Sequence, residues 1–146
     1  MPVSTSARSA PITDAVVVAV GRLVDDAQVD PKRDPSHSEL TFLFQQTGLA
    51  EANLTTAAGK KRRVRQVLNW GLEHDEGRGA ELVARLIATV RACGGFRPAS
   101  PNFVGEDSIK NAQAAFSAEG FQLADDGELR PTLLRGVEDP AWSYPF

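Results

Sequence analysis

Apolar residues recur with the period of an α-helix through KKRRVRQVLNWGLEH, residues 60–74. The stripe consists of Val64, Val67, Leu68, Gly71 and Leu72, at the spacing i, i+3, i+4, i+7, i+8. A strand, whose side chains alternate between two faces, would divide these residues between opposite sides. Four other segments repeat the helical pattern, so the sequence predicts five amphipathic helices that bury their apolar faces against one another.

The clearest boundary signals surround the second predicted helix. Ser36 and Glu39 form the S-x-x-E pattern of a capping box, in which each side chain can bond the other residue's backbone amide. At the other end, Gly48 suits the left-handed position after a helix, with Leu49 reaching back to Phe44. Both ends of this helix are therefore predicted independently of its apolar stripe.

The other helices are placed in the same way. Thr13 is an N-cap residue for a first helix that fades near Ala27. The fourth helix follows a break at residues 75–79, which hold two glycines, and stops at Gly94-Gly95. A fifth helix is predicted at about residues 106–119, where two acidic residues match the positive end of the helix dipole.

The stretch FQLADDGELRP, residues 121–131, predicts two short strands joined by a turn with Gly127 in the left-handed conformation. The fold class predicted is mainly α, a five-helix bundle-like domain with a short C-terminal β-hairpin. It occupies residues 12–135 as a single domain. Residues 1–11 are expected to be a flexible tail, and residues 136–146 an extended arm or linker.

Composition favours a cytoplasmic protein without a membrane partner. The apolar run at residues 15–20 is far shorter than the roughly 20 residues that span a bilayer. The N-terminus lacks the apolar segment of a secretory signal. The single cysteine, Cys93, excludes an internal disulfide and suits a reducing compartment.

The residue types that carry most enzyme chemistry are scarce. Two histidines, His37 and His74, fall on different predicted elements, so no metal site and no cofactor are predicted. No phosphate-binding glycine loop and no G-x-S-x-G elbow are present. The acids beside His74, at residues 73–76, have no convergent partner in the sequence. We therefore expect no catalytic residues and no enzyme activity.

The charge distribution points instead to a binding surface. Five of the six residues 60–65 are cationic, although the whole chain has a net charge of −3. Cations at a helix start oppose the helix dipole, which gives the run two interpretations. In the first, it is a solvated surface neutralised by acids such as Asp25, Asp26 or Glu51, the usual fate of charge runs. In the second, it binds an anionic group.

The predicted binding residues are Lys60, Lys61, Arg62, Arg63, Arg65 and Trp70. Trp70 lies off the apolar stripe, where it could anchor a partner or stack on a base, but a satellite core position is the commoner case and is the one we expect. On this prediction, reversing Arg62 and Arg63 to Glu weakens binding and leaves the thermal midpoint nearly unchanged. A nucleic-acid-binding, winged-helix-like regulatory domain is the alternative, but the acidic hairpin tip, Asp125-Asp126, would repel phosphates.

Four stretches, taken in order, resemble the N-terminal domains of bacterial abortive-infection (AbiJ-like) proteins. They are PSHSELTFLFQQTGL, KKRRVRQVLNWGLEHD, GGFRPASPNFVG and FQLADDGELRP, and the likeness covers roughly residues 12–135. The resemblance implies a helical sensor or adaptor module fused to a HEPN-type ribonuclease effector, whose hallmark is an Arg and a His separated by four to six residues. Neither Arg33 with His37 nor Arg65 with His74 has that spacing.

The function predicted is therefore that of a non-enzymatic sensor or adaptor in an antiphage system. Its partner would be a protein, such as a fused or neighbouring HEPN-type effector, with nucleic acid or another anion as further possibilities.

Overall fold

The computed structural model describes residues 10–53 and 58–132. Within these residues the protein forms five α-helices, one 3-10 turn and one antiparallel pair of strands. The elements are α1 (Asp14–Val24), α2 (His37–Gln46), the 3-10 turn (Ala50–Ala52), α3 (Lys60–His74), α4 (Glu76–Ala92), α5 (Glu106–Ser117), β1 (Phe121–Leu123) and β2 (Leu129–Pro131). The prediction of a mainly helical domain with a C-terminal hairpin is confirmed.

The cap signals of α2 are satisfied as the sequence predicts. The Ser36 backbone N–H donates to Glu39 Oε1 at 2.8 Å, and the Glu39 N–H donates to Ser36 Oγ at 3.1 Å. At the C-terminal end, Gly48 has a φ of 76°, and the Leu49 N–H bonds the Phe44 carbonyl at 2.8 Å. These bonds fix the helix length because they satisfy the backbone groups that a helix end leaves unpaired.

The turn between α3 and α4 is tighter than the sequence suggested. Asp75 separates the two helices, and its carboxylate accepts a bond from the Arg78 backbone N–H at 3.2 Å. The prediction that the glycines after Asp75 form a break is wrong, since Gly77 and Gly79 lie inside α4. The reason is a close approach of the two backbones: a Cβ placed on Gly71 would lie 3.0 Å from the Gly79 Cα.

Helix α1 lies at the centre of the domain, packed against α3, α4 and α5, and most of its residues are buried. It runs antiparallel to α3. At one end, Asp26 just after α1 meets Lys60 at the start of α3. At the other end, Ile12 just before α1 and Gly71 late in α3 both approach Gly79.

The hairpin closes the domain against α5. Its strands pair Phe121 with Pro131 and Leu123 with Leu129. Gln113 of α5 donates to the Leu123 carbonyl at 3.1 Å and so holds β1 against the helix. The described residues contain no helix that is both long and apolar enough to cross a membrane.

The predicted tail needs a correction at its inner end. Ala10 and Pro11 were assigned to a flexible tail at residues 1–11, but both are buried, and Ala10 belongs to the apolar core. Residues 1–9 lie outside the described residues. So do residues 133–146, which include the predicted arm at 136–146.

Candidate functional site

The cationic run at the start of α3 divides between the inside and the outside of the protein. Lys60 and Arg63 are 6% and 2% exposed, whereas Lys61, Arg62 and Arg65 are exposed. The division follows from helix geometry, because successive residues are rotated by about 100° around the axis. The residues predicted as one binding surface therefore have two different environments.

Lys60 forms a buried ion pair. Its Nζ lies 2.6 Å from Asp26 Oδ2, and it also donates to the Arg33 carbonyl at 2.6 Å. The same Asp26 oxygen accepts a bond from the Arg33 backbone N–H at 3.0 Å. Burial by itself raises the pKa of Asp26, but the bonds from Lys60 and Arg33 hold it below its ordinary value of 3.8. Lys60 thus joins the loop after α1 to the start of α3.

Arg63 ties α2 and the residue after the 3-10 turn to α3. Its guanidinium donates to His37 Nδ1 at 2.8 Å, Thr41 Oγ1 at 2.7 Å and Asn53 Oδ1 at 3.3 Å. The guanidinium carbon also lies 5.5 Å from the centre of the Phe44 ring, in a cation–π contact. Each of the three guanidinium nitrogens thus donates to an acceptor within the protein.

The bond to Arg63 sets the protonation of His37. A guanidinium can only donate, so His37 Nδ1 must accept and the imidazole must be neutral. Burial lowers the pKa of His37 below its ordinary value of 6.5, and the cations Arg63 and Lys60 lower it further against the opposing charge of Asp26. The resulting bond connects α2 to α3 and requires the uncharged histidine.

Lys60 and Arg63, which the sequence assigned to the binding surface, thus have charged groups that are already bound within the chain. This arrangement also explains how a helix start tolerates so many cations. Asp26, together with Asp25 beside Lys61, takes the neutralising role foreseen in the first of the two interpretations. The charges of Lys60 and Arg63 therefore stabilise contacts within the fold.

The sequence itself indicates this inward orientation. Lys60 and Arg63 are each four residues before Val64 and Val67, so they extend the apolar stripe by one turn. The stripe itself therefore pointed to their burial.

The remaining cations line a shallow depression of about 420 Å³ on the exposed side of α3. We call this surface the α3 basic face; its residues are Lys61, Arg62, Arg65, Gln66 and Asn69. Lys61 Nζ lies 3.6 Å from Asp25, in a solvent-accessible pair. Arg62 and Arg65 form no ion pair within the described residues.

Gly21 of α1 positions two of these cations. A Cβ at Gly21 would lie 2.9 Å from Arg65 Cγ and 3.3 Å from Lys61 Cγ, so the aliphatic stems of both side chains lie against the α1 backbone. Glycine inside a helix costs roughly 0.5–1 kcal/mol relative to alanine. Here it leaves room for the two stems, which support the charged ends above them.

Trp70 borders the α3 basic face and is 41% exposed, so the expectation that it is a core residue is wrong. Its ring stacks on His74, with centroids 4.6 Å apart and an interplanar angle of 22°. His74 Nδ1 lies 3.0 Å from the Trp70 carbonyl oxygen. His74 is therefore held by the Trp70 ring and by the Trp70 backbone.

The remaining candidate groups are metal-binding clusters, the Cys93 thiol and the acidic hairpin tip. No cluster of three or more His, Cys, Asp or Glu side chains that could hold a metal ion occurs in residues 10–53 and 58–132. Burial raises the pKa of the Cys93 thiol, and the charges of Glu39 and Asp34 raise it further, which disfavours the reactive thiolate. At the hairpin tip, Asp126 lies 3.5 Å from Arg91.

Comparisons of the chain with protein-family models, with curated proteins and with solved structures found no match. The resemblance to abortive-infection modules therefore stays a prediction from the four sequence stretches.

Proposed function

We propose that this protein is a non-enzymatic interaction module that binds an anionic partner through the α3 basic face, with Trp70 at its edge. The observation that carries the proposal is the state of Arg62 and Arg65. Both are exposed and without an ion pair among the described residues. An anionic partner could pair with them without first displacing a carboxylate of the protein.

Four of the other surface arginines provide the contrast, whereas the exposed Arg22 and Arg97 resemble Arg62 and Arg65 in having no ion pair among the described residues. Arg78, Arg85, Arg91 and Arg130 each lie between 2.8 and 3.5 Å from a carboxylate of this chain. Such exposed pairs contribute about 0–1 kcal/mol each, yet they lower the local positive potential. The α3 basic face keeps a positive potential on a protein whose residues outside 60–65 carry 11 cations and 19 anions and are therefore net negative.

The shape of the surface favours a macromolecular partner. Small-molecule sites are usually concave and enclose most of their ligand. The α3 basic face is instead an open depression that presents guanidinium, ammonium and amide groups side by side. Arginine and tryptophan are also the residues that most often dominate the binding energy of protein interfaces.

The biological setting is proposed from the resemblance in the sequence. In that setting the module senses or relays a phage-derived signal, or restrains a fused or neighbouring HEPN-type effector, in the cytoplasm of a bacterium. Plaque counts on bacteria expressing the protein, with its adjoining genes, would test this role. Charge reversal of Arg62 and Arg65 should restore phage growth, and unchanged protection would contradict the role.

Binding is tested directly with a fluorescein-labelled polyglutamate peptide of about 20 residues, followed by fluorescence anisotropy at low and physiological salt. The double variant Arg62→Glu, Arg65→Glu should lose about ten-fold or more in affinity. The matched control is Arg97→Glu, Lys110→Glu, which changes the net charge equally at two other exposed cations. Equal losses in both variants, or no binding by the unaltered protein, would refute the proposal.

Single-stranded nucleic acid is a second candidate, favoured by the exposure of Trp70 beside cations. Proteins of that class combine a basic groove with aromatic side chains on which bases stack. Each phosphate contact contributes about 0.7 to the slope of log affinity against log salt, so the exposed cations of α3 predict a slope of about 2. A labelled oligodeoxythymidine that binds more tightly than polyglutamate, with such a slope, would support this candidate.

A further inference from the structure

We infer that a groove beside α5 is a binding site for a free α-amino acid with an apolar side chain. We call it the α5 groove. It has a volume of about 310 Å³, and its lining includes Phe96, Phe103, Glu106, Ile109, Lys110 and Asp125. The inference goes beyond the proposed function and uses none of the residues of the α3 basic face.

One side of α5 forms a wall of the groove. Glu106, Ile109, Lys110 and Gln113 all line it, and their spacing i, i+3, i+4, i+7 places them on one stripe of the helix. Ile109 is 7% exposed and belongs to the core, whereas Glu106 and Lys110 are exposed. The groove therefore combines an apolar inner side with a charged rim.

Aromatic side chains supply most of the remaining apolar lining. Phe96 is 4% exposed, and Phe103 is partly buried against the core. Sites for small molecules are usually lined by such side chains together with a few polar groups, and their volumes run from about 300 to 1,000 Å³. The α5 groove lies at the lower end of that range, which suits a small ligand with one apolar group.

The rim carries two opposite charges that do not pair with each other. Glu106 lies four residues before Lys110, which is the arrangement that favours a salt bridge on a helix. The same spacing joins Glu81 to Arg85 on α4 at 3.0 Å. The side chains of Glu106 and Lys110, in contrast, form no ion pair or hydrogen bond among the described residues. A ligand could therefore bind both charges without displacing a partner from this part of the chain.

A free α-amino acid has the complementary charges. Its ammonium and carboxylate groups are attached to a single carbon atom, so two side chains one helical turn apart can bind both of them. Glu106 accepts hydrogen bonds from the ammonium group, and Lys110 donates to the carboxylate. The apolar side chain of the ligand then contacts Phe96, Phe103 and Ile109. A residue at either end of a peptide keeps only one of the two charges, so the free amino acid is the better match.

A second carboxylate at the groove is already engaged. The Gln113 side-chain amide donates to Asp125 Oδ1 at 2.8 Å and to the Leu123 carbonyl at 3.1 Å. These bonds hold the hairpin tip at the far end of the groove. Because Asp125 is bound in this way, the ammonium group of the ligand is assigned to Glu106.

The loop that carries the two aromatic side chains is closed by backbone bonds. The Val104 N–H donates to the Gly95 carbonyl at 2.9 Å, which joins the two ends of the segment between Phe96 and Phe103. A wall that is ordered before the ligand arrives lowers the entropy cost of binding. The α5 groove is therefore preorganised on both sides.

Isothermal titration calorimetry with the whole chain tests the inference. The ligands are L-leucine, L-methionine and L-phenylalanine, of which at least one should bind. L-Serine, which lacks the apolar group, should bind about ten-fold or more weakly than the best of the three. The amide of that best ligand, which lacks the carboxylate, and its N-acetyl derivative, which lacks the ammonium group, should show losses of similar size.

Charge-removing variants assign each end of the ligand. Glu106→Gln and Lys110→Gln should each weaken the best ligand about ten-fold. Glu106→Gln should not weaken the N-acetyl derivative further, and Lys110→Gln should not weaken the amide further, because the corresponding ion pair is already missing. Glu119→Gln and Arg22→Gln remove charges from exposed residues outside the groove and are the matched controls. Thermal melts verify that each variant is folded.

The inference is overturned if none of the three amino acids binds, if the amide and the N-acetyl derivative bind as tightly as the parent, or if the control variants lose as much affinity. These results leave the proposed function standing, because polyglutamate is expected to bind the α3 basic face. The variant Arg62→Glu, Arg65→Glu should bind the amino acid normally. The variant Arg97→Glu, Lys110→Glu should lose the amino acid and keep polyglutamate.

Discussion

The two sides of the first two turns of α3 use the same residue types for different purposes. Lys60 and Arg63 face inwards and bind acceptors from other segments, whereas Arg62 and Arg65 face solvent without a carboxylate partner in the described residues. Lysine and arginine have long apolar stems, so either orientation is available to them. The comparison teaches that the charge of a segment predicts function only after its members are sorted by the face they occupy.

The largest expected effect is on the inward side. Lys60→Met should lower the free energy of unfolding by about 3–5 kcal/mol, because it leaves the buried Asp26 carboxylate without its cation. Lys61→Met is the matched control on the outward side and should cost less than about 1 kcal/mol. Urea denaturation of the three proteins measures both values. Equal losses in the two variants would remove the distinction between the two faces.

Arginine gives the same comparison with a smaller effect. Arg63→Leu should cost about 2–3 kcal/mol, because His37, Thr41 and Asn53 lose a charged hydrogen-bond donor. Arg62→Leu should leave stability within about 0.5 kcal/mol of the unaltered protein, as surface substitutions usually do. The structure therefore argues against an unchanged thermal midpoint on reversing both Arg62 and Arg63. A stable Arg63→Leu variant would contradict the role assigned to the buried guanidinium.

The pH dependence should also originate on the inward side. The pKa of His37 is lowered by folding, so the unfolded chain binds more protons below about pH 6.5. The contribution of His37 is therefore complete above that pH, and stability decreases as the pH falls below it. Asp26, whose pKa is below its ordinary 3.8, extends the loss to stronger acid.

Urea midpoints between about pH 7.5 and 5 measure the contribution of histidine. His37→Asn should flatten this part of the profile, because the amide oxygen can accept from Arg63 without titrating. His74→Asn, which replaces the other histidine of the chain, is the matched control. A profile that flattens only in the His74 variant would show that the pH dependence of stability does not come from the α2–α3 contact.

How much of the fold could be predicted depends on how far apart in the sequence the interacting residues lie. The α2 capping box and the Gly48 ending depend on residues within a few positions, so the sequence predicted both. The break at residues 75–79 was misread because Gly79 serves a contact with Gly71 of another helix. Local patterns identify a glycine but not the backbone that approaches it.

The candidate site shows the same limit. The apolar stripe could have placed Lys60 and Arg63 on the inner face, but their partners come from separate segments. Only the folded structure brings Asp26 and His37 to α3. Trp70 lies off the stripe and remains exposed, so its position on the helix predicted its environment better than its residue type did.

The smallest effect expected lies where the two sides of α3 meet. Asp25 is next to the buried Asp26 but pairs with the outward-facing Lys61 at 3.6 Å. Asp25 therefore competes with the proposed partner for the charge of Lys61. An exposed pair of this kind contributes about 0.2–1 kcal/mol. A partner that binds Lys61 either breaks this pair, at that cost, or shares the cation with Asp25.

Asp25→Asn should therefore strengthen the binding of polyglutamate by up to about five-fold, since 1 kcal/mol corresponds to roughly that factor. Glu119→Gln, which removes one negative charge from an exposed residue after α5, controls for the change in net charge. A larger gain at Asp25 than at Glu119 identifies local competition for Lys61. Equal gains would show that overall charge governs binding, and the α3 basic face would then lose its claim to be a specific site.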